Sequence, residues 1–481
     1  MNYALVFRLL GRLLMMEGAL MTPSLAVALI HREGDAVAIA ATILLCLGCG
    51  ALPGYLLSPK REDLTARDGM AVAGLSWLIL SFFGGIPFVL SGAIPHLHDA
   101  FFESVSGFTT TGATILTAIE GLPKGILFWR SFTHWIGGMG VLVFTLAVLP
   151  RLSGRTSLLA RAESPGPTFS KLKPKMGDTA KVLYALYFAL SLAECVCLRL
   201  AGMNLYDALI HTFGTAGTGG FSNYNASVAA FGNPLIEWII GGFMLLFGVN
   251  FAVYFHAVRR EGKPILHSEE MWGYLGLAFA ATLGITLTIL PEYPDFFSAL
   301  RHGFFQTNSV ISTTGFTTAD FNAWPMFARA LLLLVMCTGA CAGSTAGGFK
   351  ISRVQLLLKS AYRDLEHTLL PRKVAVVRFE GKPVPETTLG QLGVYLFIYL
   401  GVFLIGGIIL SVDAADPTTA FSASLTCLSN VGPGLGQVGP KGNFAFFSPF
   451  SKLIMSLLML GGRLEIYPIL ILFSPTVWKK N

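Results

Sequence analysis

Charged side chains are scarce in this sequence. Asp, Glu, Lys and Arg make up only 13% of its 481 residues, whereas a soluble globular chain has about 25%. Hydrophobic residues make up 53%, and apolar runs of about 20 residues recur, for example at 74–90, 183–200 and 392–409. Each run is long enough to cross a bilayer core as a helix. The composition therefore excludes a soluble enzyme or binding domain and indicates an all-α polytopic membrane protein.

Patterns typical of metal centres, catalysis and secretion are also missing. Of the seven cysteines, Cys46 and Cys49 have a C-x-x-C spacing, but neither a second pair nor a nearby histidine accompanies them. We interpret the cysteines as small buried hydrophobes. Since no nucleophile–base pair, metal cluster or phosphate loop stands out, we expect neither an enzyme nor a cofactor bound by this chain. The first apolar run carries Arg8 and Arg12 without a clear cleavage site, which favours a retained span.

Ten membrane spans are predicted from the apolar runs. They cover 5–29, 36–57, 69–91, 127–149, 179–201, 235–257, 270–290, 326–349, 389–411 and 450–473. Lys and Arg concentrate in connectors 151–178 and 350–386, and basic connectors lie on the cytoplasmic side of multispanning proteins. An even number of spans then places both termini in the cytoplasm. The formal charge of +7 thus reflects topology, and we expect lipid but no nucleic acid as a partner.

Four similar short stretches lie between the predicted spans. They open at Asp99, Asp207, His302 and Thr419, and a glycine follows thirteen residues later in each, at Gly112, Gly220, Gly315 and Gly432. The dozen residues between suit a helix of about 18 Å, which reaches only part-way through a membrane. Glycine tolerates the left-handed conformation that such a helix needs to turn at its end. One copy would mean little, but four at matching offsets predict a fourfold repeat of span, pore helix, loop and span.

The repeat divides the chain into five predicted parts. These are two N-terminal transmembrane helices (1–62) and four membrane–pore–membrane units (63–165, 166–262, 263–373 and 374–481), the third with a broken second helix. Four such units in one chain can close around a pore with pseudo-fourfold symmetry.

The loop residues up to each glycine are predicted to form a selectivity filter. The twelve candidates are Thr110, Thr111, Gly112, Thr218, Gly219, Gly220, Thr313, Thr314, Gly315, Asn430, Val431 and Gly432. Irregular backbone at membrane depth is tolerated where it lines a watery cavity, and its carbonyl oxygens can replace the water around a cation. Because none of the twelve is acidic, the loops favour an alkali cation over a divalent one.

The loop sequences resemble those of a known family. TTTGAT (109–114), TAGTGGFS (215–222), STTGFTTADF (312–321) and SNVGPGLG (429–436) are similar to the four pore loops of the TrkH family of potassium-uptake subunits, in the superfamily with KtrB and the HKT/Trk transporters. The resemblance covers nearly the whole chain, and the two extra N-terminal spans fit TrkH better than KtrB. It implies that a glycine in all four loops selects potassium, with sodium or rubidium as further ions. No loop carries a TVGYG-like run, which predicts fewer ion sites than in a simple potassium channel.

The eighth span and an arginine of the tenth are candidates for a gate. Gly339, Gly343 and Gly347 are spaced by four, which is also typical of close helix packing; Gly348 and Lys350 follow. The resemblance implies a broken helix here, with an intramembrane loop that gates the filter. Arg463 is a costly charge inside a span. It is either a structural contact to Glu465 or to carbonyl groups, or, as the resemblance implies, the residue that holds the gating loop.

The function expected from these features is channel-like potassium uptake in a bacterial inner membrane. The resemblance further implies a homodimer and a cytosolic TrkA-type nucleotide-binding ring that docks on the basic connectors. The alternative is a coupled secondary transporter with alternating access, driven by protons or sodium, which would show two inverted repeats in place of four parallel ones.

Overall fold

The computed structural model describes residues 1–57, 65–140, 176–373 and 375–478. The helices in these ranges are α1 (Tyr3–Leu20), α2 (Thr22–His31), α3 (Ala36–Leu56), α4 (Ala66–Leu90), α5 (Leu97–Phe108), α6 (Lys124–Gly138), α7 (Met176–Leu200), α8 (Leu205–Gly217), α9 (Pro234–Phe247), α10 (Phe251–Val258), α11 (Gly262–Leu266), α12 (Glu269–Ile289), α13 (Phe296–Ile311), α14 (Met326–Thr338), α15 (Ile351–Leu369), α16 (Glu386–Leu410), α17 (Pro417–Ser429), α18 (Pro449–Arg463), α19 (Tyr467–Leu472) and α20 (Pro475–Trp478). Two short strands, β1 (Arg378–Phe379) and β2 (Lys382–Pro383), form an antiparallel hairpin in which Arg378 pairs with Pro383.

Six helical segments of the described chain are long and apolar enough to cross a membrane. They are Tyr3–His31, Ala36–Leu56, Arg67–Leu90, Ala180–Leu200, Glu269–Glu292 and Glu386–Leu410, and they match the first, second, third, fifth, seventh and ninth predicted spans. Apolar side chains such as Leu44, Phe279 and Phe397 are 70% or more exposed on them. Large apolar side chains exposed to this extent would be unfavourable in water, so these helix faces suit contact with lipid. The prediction of an all-α polytopic membrane protein is confirmed.

The other four predicted spans are not single long helices. α9 and α10 meet at a 93° bend, α14 ends at Thr338 and the chain is helical again only from Ile351, and α18 ends at Arg463 before α19 begins at Tyr467. α6 ends at Gly138, and residues 141–149 of its predicted span lie outside the described residues. Bonds between segments replace helical ones at the breaks: the Phe251 N–H donates to the Gly343 carbonyl at 3.1 Å.

Four short helices, α5, α8, α13 and α17, each follow one of the long spans. Side chains of Asn204, Asp295 and Asp416 cap the last three by accepting the N–H three residues on, which satisfies a donor that the helix itself leaves free. Bonds from the Thr419 side chain and backbone hold the pKa of Asp416 below its usual value. The caps fix where these helices begin, and hence where they end.

The short helices are packed between the spans. α5 lies against α4, α6 and α18, while α17 lies against α16 and α18. The largest hydrophobic cluster joins the N-terminal helices to this region and includes the fully buried Trp77, Phe102 and Trp129. The two N-terminal spans, formed by α1 with α2 and by α3, therefore help to support the first short helix.

Candidate functional site

All four short helices end with the same backbone geometry. The residue after the helix, or one further on, is left-handed, with φ of 54° at Thr110, 56° at Thr218, 58° at Thr313 and 55° at Asn430. Its N–H donates to the carbonyl three residues back, and the next N–H donates to the carbonyl five residues back, as from Thr111 to Ser106 at 2.9 Å. This pair of bonds is the Schellman ending of a helix. The matching offsets of the sequence thus correspond to four copies of one local structure.

The four glycines lie where the loops contact one another in a closed ring. Gly112, Gly220, Gly315 and Gly432 have φ between 75° and 98°. A Cβ added to each would lie less than 3.0 Å from a carbonyl oxygen of the next loop: Gly112 from Gly219, Gly220 from Thr314, Gly315 from Val431 and Gly432 from Thr111. The order of contacts runs from the first loop to the second, third and fourth and back to the first. Any side chain at these positions would push the ring apart.

The ring presents carbonyl oxygens without partners. Within the described part of the chain, the carbonyl oxygens of the twelve predicted filter residues accept no hydrogen bond, because the N–H groups nearby are used to close the helix ends. All four glycines line one cavity of about 200 Å³, and none of its described lining residues is an Asp or a Glu. The site therefore offers neutral oxygen ligands to a cation that has lost its water.

Side chains of the filter loops connect them behind the ring. Asn430 donates from Nδ2 to the Thr111 hydroxyl and to the Met459 carbonyl, both at 2.9 Å, and so ties the fourth loop to the first loop and to α18. The space that a side chain at Gly219 would need is filled by the ring of His134, since a Cβ added to Gly219 would lie less than 3.0 Å from that ring. His134 is fully buried and contacts the Gly107 carbonyl through Nδ1 at 2.7 Å.

Each short helix also carries one polar side chain that bonds to the loop leaving the ring. Glu103 accepts from the Thr114 hydroxyl at 2.8 Å. In the other copies the bonds are His211 Nε2 to the Ser222 hydroxyl at 3.0 Å, the Thr318 N–H to the Gln306 amide oxygen at 2.8 Å, and the Leu435 N–H to the Ser422 hydroxyl at 3.0 Å. Sequence reasoning missed this set, although Glu103, His211 and Gln306 share one offset from the start of their repeats.

A buried ion pair links the first two loops. Arg130 of α6 donates from Nε to Glu103 at 2.7 Å, and both side chains are almost fully buried. Its Nη1 donates to the Ser222 carbonyl at 3.0 Å, and its guanidinium lies 3.5 Å above the ring of Phe221. Since Arg130 contacts residues on both sides, the pair holds the first short helix and the second loop together.

The segment 339–350, between α14 and α15, forms a loop against the side of the ring away from the cavity. Gly339, Gly343, Gly348 and Lys350 have φ between 67° and 80°, so the segment is not a helix and the close-packing interpretation of its glycines does not apply. The Ile351 N–H donates to the Ala340 carbonyl at 3.1 Å, which brings both ends of the loop together. The Gly347 N–H donates to the Thr313 hydroxyl at 2.7 Å, and a Cβ on Gly347 would lie less than 3.0 Å from the Ser429 carbonyl. The loop therefore contacts the first residues of two filter loops.

Arg463, the last residue of α18, joins this loop to α6. Its Nη1 donates to the Thr345 carbonyl at 2.7 Å, and its Nη2 donates to the Gly137 and Gly138 carbonyls at 2.6 and 2.7 Å. The carbonyl contact considered from the sequence is thus present, whereas Glu465 forms an ion pair with Arg353 at 2.7 Å.

Lys350, at the end of the loop, is buried and donates from Nζ to the Ala346 carbonyl. Five of the six predicted gate residues lie in the loop itself, and the sixth, Arg463, contacts it.

Comparisons with known proteins agree with this arrangement. A model of the TrkH family, described as cation transport proteins, matches residues 35–294 and 292–480. The chain is 36% identical to the Trk system potassium uptake protein TrkH of Escherichia coli strain K12 over the full length of both, and 33% identical to TrkG of the same organism over 98% of both. The crystal structure of the potassium transporter TrkH from Vibrio parahaemolyticus superposes with a TM-score of 0.90 at 34% identity, covering all of both chains. The chain therefore belongs to the TrkH family of cation transport proteins.

Proposed function

We propose that this chain is the potassium-conducting subunit of an uptake system in a bacterial inner membrane. Relatives over its full length are described as Trk system potassium uptake proteins, which supports potassium uptake as its activity. The observation that carries the finer proposal is the closed ring of four loops whose carbonyl oxygens have no partner in the described chain. Such oxygens suit a monovalent cation that enters without its water shell.

Potassium is the preferred ion in this proposal, with sodium and rubidium as weaker substrates. Glycine in all four loops leaves the ring at its narrowest without side chains. None of the described residues that line the cavity is an Asp or a Glu, so it gives no carboxylate that would favour a divalent ion; Arg130 and Lys441 are its two charged lining residues. Each loop contributes three residues to the proposed filter, so discrimination between alkali cations depends on how rigidly the loops are held.

The loop 339–350 and Arg463 form the gate in our proposal. The loop contacts the first residues of the filter loops, whereas the cavity is lined by their glycines and the residues that follow. A cation that leaves the ring on the side opposite the cavity therefore meets this loop. Arg463 adds a positive charge that opposes a cation at short distance, and its three bonds to carbonyl groups keep the loop in place.

Regulation would come from partners of this chain. We propose a homodimer whose cytoplasmic face docks a TrkA-type nucleotide-binding ring, with both termini in the cytoplasm. Part of the expected contact surface, connector 350–386, contains α15 and the β-hairpin. Most of the other connector, 151–178, lies outside the described residues.

A coupled symporter with alternating access is the other candidate. It would need a substrate site between two inverted halves, whereas the four loops here end in the same geometry and contact one another in sequence. This arrangement favours a pore.

The test is ion flux into liposomes that contain the purified chain. Gly112→Ser places a side chain against the Gly219 carbonyl, so we expect the ratio of potassium to sodium flux to fall by at least about tenfold, or about 1.4 kcal/mol. Gly121→Ser is the matched control, because a Cβ at Gly121 meets nothing within 4 Å. An unchanged ratio in Gly112→Ser would remove the filter assignment.

A further inference from the structure

A buried carboxyl group of α12 contacts the loop 339–350. Glu270 lies in the first turn of α12, with 4% of its surface exposed. Its Oε1 accepts a hydrogen bond from the Ala342 N–H of the loop at 2.6 Å. An ionisable group buried in a membrane protein is costly, and it is usually retained for a function. Glu270 is not one of the residues that sequence reasoning assigned to the filter or to the gate.

The bond from Ala342 compensates for the missing helix in this segment. The backbone from Gly339 to Lys350 is not helical, so its N–H groups need acceptors other than the carbonyl four residues back. The residues on either side of Ala342 use the break between α9 and α10, through bonds of 3.1 Å from the Cys341 N–H to the Gly248 carbonyl and from the Phe251 N–H to the Gly343 carbonyl. Glu270 supplies the acceptor for the residue between these two bonds.

The loop is bonded at further points along its length. Arg463 of α18 donates to the Thr345 carbonyl, and the Gly347 N–H donates to the Thr313 hydroxyl of the third filter loop. Glu270 therefore holds the beginning of the loop, whereas the other two contacts hold its middle and the part that lies against the ring. Loss of the first contact should loosen the loop without touching a filter residue.

The position of Glu270 is itself fixed by close packing of α12 on α15. A Cβ added to Gly273 of α12 would lie less than 3.0 Å from the amide of Gln355 on α15. The same amide donates from Nε2 to the Glu269 carbonyl at 3.0 Å. A side chain holds a partner well only when its own position is supported in this way. The first turn of α12 thus presents Glu270 from a rigid base.

The adjacent residue, Glu269, carries the same group but faces another segment. Its carboxyl group is 38% exposed. It accepts from Lys359 of α15 and from the Glu380 N–H, between β1 and β2, at 3.2 Å. Two neighbouring carboxyl groups therefore contact different parts of the chain, and Glu269 is a matched control for Glu270.

We propose that Glu270 is a positioning residue for the loop 339–350: its carboxyl group accepts the Ala342 N–H and so holds the beginning of the loop against the ring. The inference rests on the proposed function, since the loop that it positions is the proposed gate. It adds a second anchor to Arg463 and places that anchor on α12. Because Glu270 contacts no filter residue in this role, its loss should raise ion flux and leave the preference for potassium unchanged.

The test compares equal replacements of the two adjacent carboxyl groups in the full-length chain. Glu270→Ala removes the acceptor, so hydrogen–deuterium exchange of peptides that cover 339–350 should become at least about threefold faster. Rubidium flux into liposomes should rise about two- to tenfold, the effect of one hydrogen bond, with an unchanged potassium-to-sodium ratio. Glu269→Ala should leave both loop exchange and flux within about twofold of the natural chain. Glu270→Gln keeps an acceptor oxygen, and intermediate values are expected.

The outcomes separate the inference from the proposed function. If Glu270→Ala does not fold, Glu270→Asp is compared with Glu269→Asp, because the shorter side chain keeps the charge but withdraws the carboxyl group by about 1.5 Å. Equal loop exchange in the Glu270 and Glu269 variants would overturn the inference, and so would a loss of potassium preference in Glu270→Ala. Faster loop exchange with normal flux would instead contradict the proposed gate. Absence of potassium flux in the natural chain would contradict the proposed function.

Discussion

Three threonines sit in a conformation that β-branched residues seldom adopt. Thr110, Thr218 and Thr313 are left-handed, with φ between 54° and 58°, and strain of this kind costs about 1–3 kcal/mol per residue. The two helix-closing bonds at each site and the contacts between loops hold them there. The strain accompanies the turn that directs the carbonyl groups of the loops toward the ring.

Thr313 gives a direct test of the contact between the proposed filter and the proposed gate. Thr313→Val keeps the shape but removes the hydroxyl that accepts the Gly347 N–H. A buried donor left without a partner costs about 1–3 kcal/mol, so we expect a less firmly held loop and a two- to fivefold higher rubidium flux, on the order of 1 kcal/mol. Thr307→Val, on the helix α13 that precedes Thr313, is the control, because its hydroxyl has no partner in the described chain. Equal flux in both variants would contradict the contact's role.

Replacement of Arg463 tests the proposed gate, because it removes both a positive charge and hydrogen bonds to the loop. Arg463→Ala removes three hydrogen bonds to carbonyl groups of α6 and of the loop, and such charged bonds contribute about 1.5–3 kcal/mol each. We therefore expect rubidium uptake into liposomes to rise at least about threefold at a fixed gradient. Arg463→Lys keeps the charge but not the forked geometry, and an intermediate rise is expected. Normal flux in Arg463→Ala at equal protein content would exclude this residue from the gate.

The short helices show what the sequence could and could not predict. Glycines at equal offsets located the ends of all four to within a few residues, but for a different reason than expected. The left-handed residue that closes each helix is a threonine or an asparagine, and the glycine two residues later is required by the close contact with the next loop. The breaks at 248–250 and 464–466 showed no repeated pattern of this kind. Each contains a single polar residue, Asn250 or Glu465, inside a mainly apolar stretch, and tertiary bonds such as Phe251 to Gly343 compensate the lost helical ones. The polar set of Glu103, His211 and Gln306 was visible as one offset across repeats, but its partners lie on the outgoing loops and emerge only in three dimensions.

The buried pair of Glu103 and Arg130 should stabilise the two elements that it joins. Glu103→Gln leaves the Arg130 charge buried without its counterion, and breaking a buried pair in this way costs about 3–5 kcal/mol. We expect a clear fall in the melting temperature of the purified protein, measured by intrinsic fluorescence. Asp320→Asn, which breaks the exposed Lys441 pair, should change stability by less than about 1 kcal/mol. Equal melting temperatures for the two variants would contradict this account.

At the scale of the whole molecule, the proposed conduction and the proposed control involve different surfaces. The proposed filter is a ring of four loops, whereas α15 continues the chain beyond the loop 339–350 and exposes Leu358, Tyr362 and Leu369 by 66% or more. The helix begins at Ile351, directly after buried Lys350. A force applied to α15 by a partner would therefore act on the end of the loop that contacts the filter. The proposed regulation thus has a mechanical route through one covalent connection.

This route predicts how the protein responds to nucleotides. The chain shows no phosphate-binding motif, so liposomes with the chain alone should give the same potassium flux with and without ATP, ADP or NAD on the inner face. Addition of a purified TrkA-type ring should make the flux change at least about threefold with nucleotide, which corresponds to a coupling free energy of about 0.7 kcal/mol. The double variant Arg372→Glu and Lys382→Glu, on the basic connector, should lose this response and keep the basal flux, while Lys124→Glu on a different connector should retain both. A nucleotide response of the chain alone would contradict the separation of conduction from sensing, since the sensing site would then lie in the membrane subunit itself.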